Sequence, residues 1–174
     1  TVVDANGRLT TLTAGTMLLD AEGTPFVFNG EPVELPQMVV DFRLKPMVWS
    51  DGTAVTATDS VFSYEVAAYY DADSQPITHT GSYTAVDRHT VRWTGLPGWL
   101  DQIYFRNVWT PLPQHQLAHH EMAELADLFG PNPETPILSS GPFVLKEWIS
   151  GVSILLQANP YYYRQSEELP RLTQ

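Results

Sequence analysis

The sequence predicts an α+β fold, mixed, with a mainly antiparallel sheet and flanking helices. Three observations carry that expectation. Val40, Phe42 and Leu44 alternate with Val39, Asp41 and Arg43, the period-2 pattern of a strand with one buried face. Residues 57–70 have helical spacing behind a capping box. Two later stretches, 83–94 and 142–157, have the strand–turn–strand pattern of hairpins.

The elements follow in chain order. Asn6-Gly7 and Glu22-Gly23 are turn signals, and Phe26-Val27-Phe28 before Asn29-Gly30 is a short strand. Pro46 ends the Val39–Leu44 strand, and Asp51-Gly52 is a tight turn in which Asp caps local amides and Gly takes a positive φ. Thr56-Ala57-Thr58-Asp59 has the S/T-x-x-D/E form, so the Thr56 hydroxyl can accept the Asp59 amide while the carboxylate reaches back. Behind it Phe62, Val66, Tyr69 and Tyr70 share one helical face, which places a helix over about Ala57 to Tyr70. A hairpin runs through Tyr83–Val86 and Thr90–Thr94 with Asp87-Arg88-His89 at its turn, Val91 and Trp93 inward and Thr90, Arg92 and Thr94 outward. After Pro97-Gly98 a short helix is expected near Leu100, then an extended Thr110-Pro111-Leu112-Pro113 connection. Gln114 to Phe129 is helix-forming, stopped by Gly130-Pro131, with Leu117, Met122, Leu125, Leu128 and Phe129 supplying a buried side. A proline-rich loop spans Pro131 to Pro136. Strands 142–149 and 152–157 close the pattern around Ser150-Gly151.

Composition narrows the function classes. The 174 residues carry 9 Lys+Arg against 20 Asp+Glu, a formal net charge of -11, and the basic residues are scattered singly. Such a chain repels phosphate backbones and anionic lipid, so nucleic acid is not an expected partner. With 43% hydrophobic residues there is material for a core, unlike a disordered segment. The absence of cysteine removes disulfides, thiolate catalysis and Cys-based zinc sites. No apolar run approaches the ~20 residues of a membrane-spanning helix. The sequence begins at Thr1 and stops at Gln174 after a polar Ser166-Glu167-Glu168 stretch. It reads as a piece of a longer chain, with any signal segment outside it.

Few residues suggest chemistry. Asp51 in W-S-D-G-T reads as a turn residue, with no catalytic role, and Trp49 as a core or packing residue. His115 and His119 at i, i+4, with His120 and Glu121, form one metal-like cluster, but the pattern is not H-E-x-x-H and a third ligand is missing. Exposed helix-side histidines are the expected explanation, with no metal and no cofactor. A secreted metal-dependent hydrolase using the His115–Glu121 cluster is the enzymatic alternative. The aromatics Tyr69-Tyr70, Trp99 to Trp109 and Tyr161-Tyr162-Tyr163 are read first as packing groups. No nucleophile elbow, P-loop or dinucleotide fingerprint is present.

Two stretches resemble the signatures of the family 5 solute-binding proteins of ABC importers. One is V-D-F-R-L at Val40–Leu44, then W-S-D-G-T at Trp49–Thr53 and T-A-T-D-S-V-F-S at Thr56–Ser63. The other is S-G-P-F-V-L-K-E-W at Ser140–Trp148, followed by Ser150-Gly151 and N-P-Y-Y at Asn159–Tyr162. They stand in the family's order with T-V-x-W and P-L-P-Q-H between them, and the likeness covers roughly residues 37–165. One departure is Ser139-Ser140 where the family usually has G-T before G-P.

The resemblance implies part of a type II periplasmic-binding-protein-like architecture: residues 1–136 as the small lobe, and residues 137–174 as the first, truncated strands of the adjoining lobe. It implies a structural motif at Trp49, Asp51, Gly52, Thr56 and Asp59. The counterpart of Ser139, Ser140 and Gly141 approaches the interlobe cleft, so these three are the candidate ligand contacts; a turn that opens a strand without contact is the other reading. The implied function is non-enzymatic: capture of an oligopeptide or similar small solute outside the membrane by a monomeric protein, periplasmic or lipid-anchored, and its presentation to ABC permease subunits. A non-transport interaction module on the same fold is the remaining alternative.

Overall fold

A computed structural model of the chain describes residues 1–129 and 136–172. Four short strands come first: β1 (Val2–Val3) pairs with β2 (Leu9–Thr10), and β3 (Met17–Leu19) with β4 (Pro25–Val27), both antiparallel. Then come β5 (Val39–Arg43), α1 (Ala57–Tyr70), α2 (Gln75–Thr78), β6 (Thr80–Ala85) and β7 (Thr90–Gly95). A 3₁₀ turn at Tyr104–Arg106 leads to α3 (Gln114–Leu117) and α4 (Leu125–Leu128). The hairpin β8 (Phe143–Ile149) and β9 (Ser153–Ala158) follows. All pairing is antiparallel among the described residues, spread over four small sheets, of which the central one has the order β5-β7-β6.

The alternation expected of residues 39–44 is present: Val40, Phe42 and Leu44 are half-buried while Val39, Asp41 and Arg43 are exposed. Opposite them Val91 and Trp93 on β7 are fully buried and Arg92 points out, where its guanidinium forms an exposed bidentate pair with Asp41 at 2.7 and 2.8 Å. Helix α1 has apolar residues on two sides because it packs against two layers. Ala57, Val61 and Tyr64 join Tyr83, Val91 and Trp93 over the sheet. Phe62 and Val66 join Leu117, Leu125, Leu112 and Ile137 on the other side. Between the layers the buried Ser60 hydroxyl contacts the Tyr83 hydroxyl at 2.8 Å and donates to the Trp109 carbonyl, so its polarity is satisfied locally.

Three sequence expectations need correction. Tyr69 and Tyr70, which share a helical face with Phe62 and Val66 and read first as packing groups, are 55% and 47% exposed because the last helical turn runs past the core. The short helix expected near Leu100 is instead the 3₁₀ turn at Tyr104–Arg106. Gln114 to Phe129 is not one helix. The chain leaves helical geometry after Leu117, passes through an extended Glu121, and restarts as a 3₁₀ turn at Met122–Glu124 leading into α4. On an unbroken helix Leu117 and Leu125 would point about 80° apart at 100° per residue; the break lets both reach Phe62. The Tyr70 hydroxyl stabilises the restart, donating to the Met122 carbonyl and accepting the Ala126 amide at 3.1 Å. The expected Gly130-Pro131 stop and the loop from Pro131 lie outside the described residues.

The N-terminal segment is fastened to the β6–β7 layer by hydrogen bonds that end on backbone carbonyls. Val3 donates to the Pro97 carbonyl at 3.0 Å, and the His79 imidazole bonds the Gly7 carbonyl at 3.0 Å. Gly98, at φ +85, lies so close that a Cβ there would meet the Val3 carbonyl oxygen at 2.5 Å. Gly98→Ala therefore combines left-handed strain with a backbone clash and is expected to cost at least roughly 2 kcal/mol. Gly23→Ala, at φ +80 with nothing within 4 Å, carries only the conformational cost of about 1 kcal/mol. Urea unfolding of the two variants measures the difference; equal losses would show that the approach to Val3 is unimportant.

Candidate functional site

The W-S-D-G-T segment forms a two-stranded turn. Val48 bridges Ala54, the Trp49 amide donates to the Thr53 carbonyl at 2.7 Å, and the Val55 amide to the Met47 carbonyl at 2.9 Å. Asp51 caps it as expected: its Oδ1 accepts the Thr53 amide at 2.9 Å and hydroxyl at 2.7 Å, and Gly52 takes φ +89. Oδ2 of the same carboxylate lies 2.9 Å from His115 Nε2, which is also 3.1 Å from the Thr53 hydroxyl. His115 is thus tied to the turn. Regular helix ends at Leu117, before His119, and no group of three metal-ligating side chains occurs among the described residues.

Asp59 joins this turn to the helices. It is 4% exposed, and its Oδ2 accepts the Thr56 amide at 2.7 Å and hydroxyl at 3.0 Å, closing the capping box at the start of α1. Its Oδ1 accepts the Gln114 amide at 3.1 Å, and its carbonyl the Leu112 amide at 3.2 Å. One buried carboxylate therefore starts α1 and holds the start of α3, with each oxygen hydrogen-bonded.

From α3 the connection continues to the candidate ligand loop. Gln116 donates to the Pro136 carbonyl at 3.1 Å and accepts the Leu138 amide at 2.9 Å. The Ser139 amide donates to Ser50 Oγ at 3.2 Å, and the Gly141 amide to Ser139 Oγ at 3.0 Å. Asn159, 2% exposed, donates to the carbonyls of Gly141 at 2.9 Å and Ser139 at 3.3 Å, while its Oδ1 accepts the Tyr161 amide at 3.0 Å. Tyr161 packs over Gly52, where a Cβ would meet its ring at 3.4 Å, and the Lys45 ammonium lies 5.6 Å from the Tyr163 ring centre.

The structure thus brings Trp49, Asp51, Gly52, Ser139, Ser140 and Gly141 to one junction, with Thr56 and Asp59 behind it. A cavity of about 440 Å³ opens there, lined by Trp49, Ser139, Ser140, Gly141, Phe143 and Trp148 among others. Trp49 is 2% exposed, and its indole N–H has no hydrogen-bond partner among the described residues. The packing expected of Trp49 is present. The Ser139 and Gly141 amides, however, are engaged within the protein, so this loop offers fewer open donors than its glycine suggested. Gln116 and Asn159 were not singled out as site residues. Asn159 was visible as the first residue of N-P-Y-Y, an Asx turn before proline; nothing in the sequence marks Gln116.

The family described as bacterial extracellular solute-binding proteins, family 5 Middle, matches residues 34–174. The chain belongs to this family. A Deinococcus radiodurans protein described as "Probable ABC transporter-binding protein" is 27% identical over 135 residues, covering 68% of this chain and 22% of the relative. The oligopeptide-binding protein AppA from Bacillus subtilis, solved with a nonapeptide, superposes with a TM-score of 0.60 at 21% identity, over 94% of this chain and 35% of its own. NikZ from Campylobacter jejuni, solved with Ni(L-His), gives a TM-score of 0.58 at 20% identity, over 92% and 29%. The chain therefore spans between 22% and 35% of the length of these relatives. The two likenesses in structure establish the fold, that of part of a periplasmic binding protein.

Partial desolvation raises the pKa of Asp51, but the Thr53 hydroxyl and amide and the His115 imidazole outweigh it and hold the carboxyl below its ordinary value of 3.8. Because the folded value is depressed, the contact stabilises the turn above the ordinary value and is lost as pH falls through the folded one. In His115→Ala the Asp51 carboxyl is expected to titrate higher than in the wild type, followed by carboxyl NMR. An unchanged titration would show that the imidazole contributes nothing.

Proposed function

We propose that the polypeptide containing this sequence is the substrate-binding component of an ABC importer. It captures an oligopeptide or similar small solute outside the membrane and presents it to the permease. Family membership across residues 34–174 is the observation that carries this reading. In it, residues 1–136 are the small lobe and residues 137–174 open the adjoining lobe. Ser139, Ser140 and Gly141 lie at the seam and contact the solute, which closes the two lobes by binding the closed form better. The mechanism is differential binding by a monomer, with no bond made or broken.

The junction geometry supports that assignment. A cleft loop must be placed accurately on both sides of a seam, and Ser50, Gln116 and Asn159 hold residues 138–141 from the turn, from α3 and from the end of β9. The buried, unpartnered Trp49 N–H beside the same cavity is a polar group that a rearrangement on closure would satisfy. Among the described residues the metal-dependent hydrolase finds no support: His115 Nε2 is bonded to Asp51 and Thr53, and no three metal-ligating side chains come together.

Mass spectrometry of small molecules released from the purified full-length protein tests the reading, with the 174-residue stretch run in parallel. Peptides released from the full-length protein and not from the stretch are the expected result. Release of a sugar or a metal chelate alone would remove the peptide assignment, and absence of any bound solute across a peptide library would contradict solute capture.

A further inference from the structure

A second cavity, of about 620 Å³, lies wholly within residues 75–107 and away from the junction. Its size falls in the range of small-molecule sites. Trp93 and Trp99 line it together with Leu100, Ile103, Asp101 and Asn107. Trp99 is wedged between Gly7, where a Cβ would meet its ring at 3.3 Å, and the His79 ring, edge-on at 4.7 Å between centroids. The imidazole is already bonded to the Gly7 carbonyl.

Asp101 gives this cavity its chemistry. The residue is 7% exposed; its Oδ1 accepts the Ile103 amide at 2.8 Å and its Oδ2 the Asn107 side-chain amide at 2.7 Å. Both partners are neutral, so the hydrogen bonds leave the negative charge of the carboxylate without a bonded cation. Buried charges are ordinarily paired. The three ion pairs among the described residues are Arg92–Asp41, His115–Asp51 and Arg164–Glu167, none involving Asp101. Arg106 also lines the cavity but is exposed, so its guanidinium is solvated.

We infer that this cavity binds a small organic cation, an ammonium with an apolar body. The ammonium would sit against Asp101, and the apolar body against Leu100 and the half-buried Trp99, whose indole attracts cations. The net charge of -11 favours accumulation of cations at the surface. The site is independent of the seam between lobes and of the solute proposed above.

Choline and its neutral isostere 3,3-dimethyl-1-butanol, titrated into the full-length protein by calorimetry, test the inference. Choline is expected to bind saturably with a Kd below about 1 mM, roughly tenfold or more tighter than the neutral compound, and Asp101→Asn to weaken it by about tenfold or more. Should Asp101→Asn fail to fold, Gln102→Lys places a positive charge at an exposed position lining the cavity and is expected to weaken choline by about threefold or more. Equal binding of the two compounds, no choline binding, or choline binding unaltered in the folded variant would overturn the assignment.

Discussion

Much of the molecule's geometry depends on the buried carboxylate of Asp59. A charged group this deep is tolerated because it accepts the Thr56 amide and hydroxyl with one oxygen and the Gln114 amide with the other. By the first set it fixes where α1 begins, and so how Ala57, Val61 and Tyr64 meet the sheet. By the second it fixes where α3 begins. The adjacent α3 residues His115 and Gln116 then diverge, one to the D-G-T turn and the other to the segment leading into residues 139–141. A local capping motif thereby becomes a tertiary connection spanning some eighty residues of sequence.

The second half of the junction works by close approach. Gly52 leaves room for Tyr161, and Asn159 gathers the carbonyls of Ser139 and Gly141 beneath the start of β8. Further along, the β8–β9 hairpin keeps apolar residues in water: Val152 in its turn is 77% and Ile154 on β9 60% exposed. The hairpin is well placed at its base and little covered along its length. On the proposed reading residues 137–174 open another lobe, and the chain spans about a third or less of its relatives' length.

What the sequence made legible was governed by local rules. The strand at 39–43, the capping box, the helix to Tyr70 and both longer hairpins follow from periodicity and turn chemistry, and all are in place. The break between α3 and α4 was not legible. The sequence between Leu117 and Met122 favours helix, and the Tyr70 hydroxyl that supports the restart is 52 residues from Met122. The same holds at the site: Asp51 and Gly52 declare a turn by themselves, whereas the pairing with His115 lies 64 residues away. The Ser139–Gly141 loop was found through family resemblance, and its internal bonding became visible only once Asn159 and Ser50 were placed beside it.

Native-state hydrogen exchange on Asp59→Ala, which removes both acceptor oxygens, tests the central role of this carboxylate most directly. The Thr56 and Gln114 amides must lose protection, and the Trp49 amide, which bonds across the turn to Thr53, must lose it with them once α3 and His115 are released. If Trp49 keeps its wild-type protection while Gln114 opens, the turn stands without Asp59 and the proposed dependence is wrong.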